Sequence, residues 1–143
     1  MMIRSCDSYM FTNEEGSWYV KNTIGETVVL SSNYYAYFPK KVMEPGESGY
    51  IGSINFGPPG SADFDRFYKR YDMLQDLVMT VSDIDGNVLK VWRESEKDAP
   101  GKQFFDERDW EKEERPRDKG AIDYRWTFHI GESDTASPPS SEN

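Results

Sequence analysis

Ile122-Asp123-Tyr124-Arg125-Trp126-Thr127-Phe128-His129-Ile130 alternates without a fault. Ile122, Tyr124, Trp126, Phe128 and Ile130 line one face, and Asp123, Arg125, Thr127 and His129 line the other. Period two over nine residues is the pattern of an antiparallel strand that covers a core with one side and meets water with the other. Working back along the chain, Val88-Leu89-Lys90-Val91-Trp92-Arg93 and Leu77-Val78-Met79-Thr80-Val81 flank Ser82-Asp83-Ile84-Asp85-Gly86-Asn87. Asp-Gly between two apolar runs is a strong short-range hairpin signal.

The earlier half repeats the theme. Trp18 and Val20 share one face of a strand over 17–22, with Tyr19 and Lys21 on the other. Thr23-Ile24-Gly25-Glu26 reads as the turn of a hairpin that returns through Thr27-Val28-Val29-Leu30-Ser31. Tyr34-Tyr35-Ala36-Tyr37-Phe38 is extended up to Pro39, and Pro45-Gly46 predicts a type II turn. Tyr50, Gly52, Ile54 and Phe56 then fall on one side of a further strand. Phe64, Phe67, Tyr68 and Tyr71 stand at helical spacing, predicting one short helix after the Gly57-Pro58-Pro59-Gly60 loop. Gln103–Lys119 mixes acids and bases around Phe104, Phe105 and Trp110, which reads as a solvated helical turn or long loop.

Together these elements predict a mainly β fold, a single antiparallel β-sandwich with one short helix and an irregular charged insertion, with a closed barrel as the competitor. The strand tryptophans Trp18, Trp92 and Trp126 belong to its core. At 143 residues the chain holds one such domain. We place it over residues 16–131, after an N-terminal segment (1–15) that could act as a lipid-anchored linker. A Ser/Pro-rich tail (132–143) follows, expected to be disordered because its composition holds no core-forming residue.

Charge narrows the partners. Seventeen Lys+Arg against 26 Asp+Glu leave a net charge of −9 and a pI near 4.6. Phosphate backbones and anionic membrane surfaces call for a basic face, so neither nucleic acid nor direct membrane binding is expected. A mean hydropathy of −0.81 would suit a disordered chain, but 15% aromatic residues do not.

Catalytic and metal chemistry find little to work with. One cysteine, Cys6, and one histidine, His129, rule out an intrachain disulfide and leave zinc or copper short of ligands. Anchoring a calcium loop on Gly86 puts Val81 first and Trp92 twelfth, where carboxylates are needed, so Asp83–Asn87 reads as a turn. Asp106, Glu107, Asp109 and Glu111 could supply an acid–base pair, yet the interleaved Arg and Lys indicate solvent. No nucleophile elbow or phosphate loop occurs. The expectation is a non-enzyme without cofactor, catalytic residue or metal ligand.

Two features point to binding. Tyr34, Tyr35 and Tyr37 are too dense for one buried face, so an exposed ring could make a stacking platform for sugars or an interface anchor. Ser5-Cys6 fits the cleavage position of a bacterial lipoprotein, but Met1–Ser5 hold no apolar stretch. Cys6 is therefore a lipid attachment site if a signal peptide precedes the given start, and otherwise an ordinary cytoplasmic thiol.

The start at Cys6-Asp7-Ser8, Val20-Lys21-Asn22 leading to Gly25-Glu26-Thr27-Val28-Val29-Leu30, Glu44-Pro45-Gly46-Glu47-Ser48, Asp83-Ile84-Asp85-Gly86-Asn87-Val88-Leu89 and the Trp126-Thr127-Phe128 ending span most of the domain. In these phrases the chain resembles small uncharacterised envelope lipoproteins of Bacteroidetes-type bacteria. The resemblance implies an Ig-like sandwich in the cell envelope, lipid-anchored or secreted, and carries no enzymatic residues. The function expected is an interaction or accessory module for a protein or glycan of the envelope, with a carbohydrate-binding module on the tyrosine platform as the alternative.

Overall fold

In a computed structural model, residues 13–33, 40–69 and 76–135 are described. Among these residues eight strands form two four-stranded sheets that pack as a β-sandwich. They are β1 (Glu14–Asn22), β2 (Val28–Ser32), β3 (Lys41–Met43), β4 (Ser48–Gly57), β5 (Val78–Asp83), β6 (Val88–Arg93), β7 (Glu111–Pro116) and β8 (Ile122–Ile130). One sheet has the order β4-β1-β8-β7 and the other β3-β2-β5-β6. Strands β1 and β8 pair in parallel, and the other pairs are antiparallel.

The alternation read in β8 holds where it matters. Trp126, Phe128 and Ile130 are buried, while Ile122 and Tyr124 at the strand's start are half-buried. Trp126, Phe128 and Ile130 share one core cluster with Trp18 and Val20 of β1, Ile54 and Phe56 of β4, and Leu30, Met79, Val81 and Trp92 of the facing sheet. The β5–β6 hairpin forms as expected: Gly86 takes φ +92° at its apex, and the Asp83 amide donates to the Asn87 carbonyl at 2.9 Å. Helix α1 (Arg66–Lys69) is a single turn, entered through Asp63, whose Oδ1 accepts from the Asp65 amide at 3.0 Å. Phe64, Phe67 and Tyr68 are buried, and the first two pack against Trp18. Phe104, Phe105 and Trp110 add further buried rings from the charged segment.

Four expectations change. The reversal at 23–27 is not a hairpin, because β1 is bounded by β4 and β8 while β2 belongs to the opposite sheet. The chain crosses between sheets by folding over the buried Asn22 side chain. Its Nδ2 donates to the carbonyls of Glu26 and Met43, each at 2.9 Å, and its Oδ1 accepts from the Ile24 amide at 2.8 Å. Tyr50 does not share a face with Ile54 and Phe56: a bulge opposite Trp18 and Tyr19 turns Ile51 inward and Tyr50 to solvent. The charged insertion contains an exposed strand, β7, rather than only helical turn or loop. Finally, Glu132–Thr135 at the start of the expected tail form one helical turn, α2, fixed where Lys102 pairs with Asp134 at 3.0 Å and donates to the His129 carbonyl. Among the described residues no helix is long and apolar enough to cross a membrane.

Candidate functional site

The solvent face of the β4-β1-β8-β7 sheet carries a group of half-exposed aromatic and charged side chains. Because Trp18 and Val20 point inward, alternation turns Glu15, Ser17, Tyr19 and Lys21 of β1 outward. The same rule turns Asp123, Arg125, Thr127 and His129 of β8 outward. Parallel pairing sets Ser17 beside Arg125 and Tyr19 beside Thr127, while antiparallel pairing sets Tyr50 beside Tyr19 and Glu113 beside Arg125.

The guanidinium carbon of Arg125 lies 3.9 Å from the centre of the Tyr19 ring, a close cation–π contact. Tyr19 and Tyr50 meet edge to face, ring centres 5.4 Å apart and planes at 61°. Tyr50 is 45% exposed, and its hydroxyl donates to Ser53 Oγ at 2.9 Å. Sharing Tyr19 and Arg125 with this trio, a cleft of about 200 Å³ is lined also by Glu15, Ser17, Arg115, Asp123 and Tyr124. Asp123 accepts from the Glu15 amide at 3.0 Å and pairs with Arg117 Nε at 2.7 Å. Arg115 reaches Glu113 at 3.4 Å. Burial, and then the charges of Glu14 and Glu114, raise the Tyr124 hydroxyl above the ordinary tyrosine value.

A larger opening, about 480 Å³, lies among Asp65, Lys97, Asp98, Asp106, Glu107 and Arg108. The carboxylates that could have served acid–base work are each bound to their own partner. Asp106 grips Arg108 at 2.6 Å, Glu107 accepts from Trp126 Nε1 at 3.0 Å, Asp109 accepts from the Gln103 amide at 2.8 Å, and Glu111 meets His129 Nε2 at 2.8 Å. The Arg108 hydrogen bond, more than any other influence, holds the Asp106 carboxyl below its ordinary value, the reverse of what a general acid at neutral pH requires. In the Asp83–Asn87 turn, Oδ1 of Asp83 accepts the amides of Asp85 and Asn87 and Oδ2 accepts Asn87 Nδ2, each at 2.9 Å. These bonds, led by the Asn87 side chain, lower the Asp83 carboxyl. Among the described residues no group of three or more His, Cys, Asp or Glu is arranged to hold a metal ion.

Cys6, Tyr34, Tyr35 and Tyr37 lie outside the described residues. The residues that sequence reasoning does not single out are Tyr19, Tyr50 and Arg125. Alternation marks Tyr19 and Arg125 as outward, but only the parallel β1–β8 register brings them together. Comparison with known proteins finds no matching family model, no matching curated protein and no matching solved structure.

Proposed function

We propose that this protein is a non-enzymatic binding module of the bacterial cell envelope, an interaction or accessory protein that works through the outer face of the β4-β1-β8-β7 sheet. The observation that carries the reading is the Arg125–Tyr19–Tyr50 group, aromatic and guanidinium side chains held on strands whose opposite side is the core. Tyrosine and arginine dominate the energetics of recognition surfaces, and strands hold them more rigidly than loops do. The reading as a non-enzyme is supported by four acids of the insertion, Asp106, Glu107, Asp109 and Glu111, each bound to a local partner. The Ig-like class and the envelope location belong to the same reading. They are supported by the lipoprotein-like Ser5-Cys6 start and by the resemblance of the turn and strand phrases.

The test uses cells carrying the full-length gene, fractionated with and without Cys6→Ser. The wild type is expected in the envelope fraction, retaining bound envelope material that a Tyr19→Ala/Arg125→Ala variant loses while still folding. A wholly cytoplasmic protein, or one whose bound material is indifferent to both substitutions, would overturn the reading.

A further inference from the structure

We infer that the ligand of this face is a neutral oligosaccharide, with one sugar ring seated in the cleft between Glu15 and Arg125 and the next against Tyr50. The inference rests on the reading of this sheet face as the binding site.

Size is the first argument. About 200 Å³ falls below the roughly 300–1,000 Å³ that cofactor-sized and drug-sized ligands occupy, but it admits a single pyranose ring. The cleft lies on an open sheet face, so a longer ligand would continue over its surface. Tyr19 borders both the cleft and Tyr50, which fixes the direction in which the next ring would lie.

Chemistry is the second. The faces of tyrosine rings carry the negative lobe of the quadrupole, and the C–H faces of a sugar ring are weakly positive, so the two stack without needing charge. At the cleft, Asp123 and Arg115 already have ion-pair partners in Arg117 and Glu113. Among the described residues, the Glu15 carboxylate and the Arg125 guanidinium have none. Among the described residues the cleft therefore offers a carboxylate with no ion-pair partner and a guanidinium whose face lies on Tyr19 while its N–H groups remain able to donate. Hydroxyl groups both donate and accept, so a polyhydroxylated ligand can use the two at once.

Charge then separates neutral sugars from the alternatives. An anionic glycan gains Arg125 but meets Glu15 and a chain of net charge −9. A cationic ligand gains Glu15 but meets Arg115 and Arg125. An extended peptide adding to the β7 edge of this sheet would meet Glu-Lys-Glu-Glu-Arg-Pro, a strand of the kind that resists such pairing.

The experiment probes an array of neutral, amino and acidic oligosaccharides with the labelled full-length chain, and then titrates the best neutral ligand calorimetrically. Neutral glycans are expected to bind. Tyr50→Ala and Arg125→Ala should each weaken binding about tenfold or more, Tyr50→Phe should retain most of it, and Thr80→Ala on the opposite sheet should change nothing. Thermal melts of each variant confirm that the fold is intact. No neutral glycan bound at millimolar concentration, preference for acidic glycans or peptides, or affinity indifferent to Tyr50→Ala would each overturn the inference. Envelope material still retained through Tyr19 and Arg125 alongside a blank array would leave the binding face standing and remove the sugar.

Discussion

Trp18 and Trp126 stack across the parallel β1–β8 pair, ring centres 4.7 Å apart and planes 24° from parallel. Both are buried in the core. Trp18 stacks with Phe67 as well, and Trp126 Nε1 donates to Glu107, so the two indoles join β1 and β8 to α1 and to the charged insertion. Removing such a ring forfeits its transfer energy and leaves a cavity. Trp126→Ala should cost about 3–5 kcal/mol by urea unfolding. Trp126→Phe, which keeps most of the apolar burial, should cost less.

Gly16 sits where these rings converge. A Cβ there would stand 2.6 Å from both Phe56 Cε2 and Trp126 Cζ3, atoms of buried rings with nowhere to go. Gly16→Ala should therefore destabilise by about 1–3 kcal/mol through overpacking. Gly25→Ala, whose Cβ meets only Glu132 at 3.9 Å, should stay within about 0.5 kcal/mol of wild type.

Asn22 is the polar counterpart in the core. Its amide supplies two donors and one acceptor to three backbone groups of the sheet crossing. Asn22→Ala should cost about 1–3 kcal/mol by leaving buried groups unpaired. Asn22→Asp should be worse although it is nearly isosteric, because a carboxylate has no N–H for the carbonyls of Glu26 and Met43. The order of the two midpoints in one denaturant series checks this.

Stability should fall at both ends of the pH scale for identifiable reasons. Asp83 and Asp106 have folded-state values below the ordinary 3.8, so the folded form releases these protons more readily than the unfolded chain. Their contribution is present above the unfolded value and is lost as pH falls through the folded one. Thermal melts should decline below about pH 4, and Asp83→Asn/Asp106→Asn should flatten that limb. For Tyr124 the sign reverses: burial raises its value above 10.0, so the folded form holds its proton longer. Stability should drop as pH rises past 10, less so in Tyr124→Phe.

Strands with a one-sided pattern and a local turn signal are legible in the sequence. β8 can be read from alternation alone, and β5–β6 from Asp85-Gly86. β7 cannot, since all six of its residues are exposed and its pairing with β8 comes from backbone hydrogen bonds rather than an apolar face. The turn after Asn22 announces a reversal without saying which sheet will receive β2, because that choice depends on β4 and β8 having taken both edges of β1. The candidate site is half legible. Tyr19 and Arg125 are visibly outward, whereas strict alternation puts Tyr50 on the core face, because one bulged residue inverts every side chain beyond it.

The central claim is that recognition runs through the Tyr19–Tyr50–Arg125 face. Its most direct test is photocrosslinking in intact cells, with a photoreactive phenylalanine replacing either Tyr50 or Val88. Val88 is the control, 61% exposed on the outer face of the other sheet. A discrete adduct in the envelope fraction is expected from position 50, abolished by Arg125→Ala, and none from position 88. Adducts from position 88 alone, from both positions equally, or from neither would contradict it.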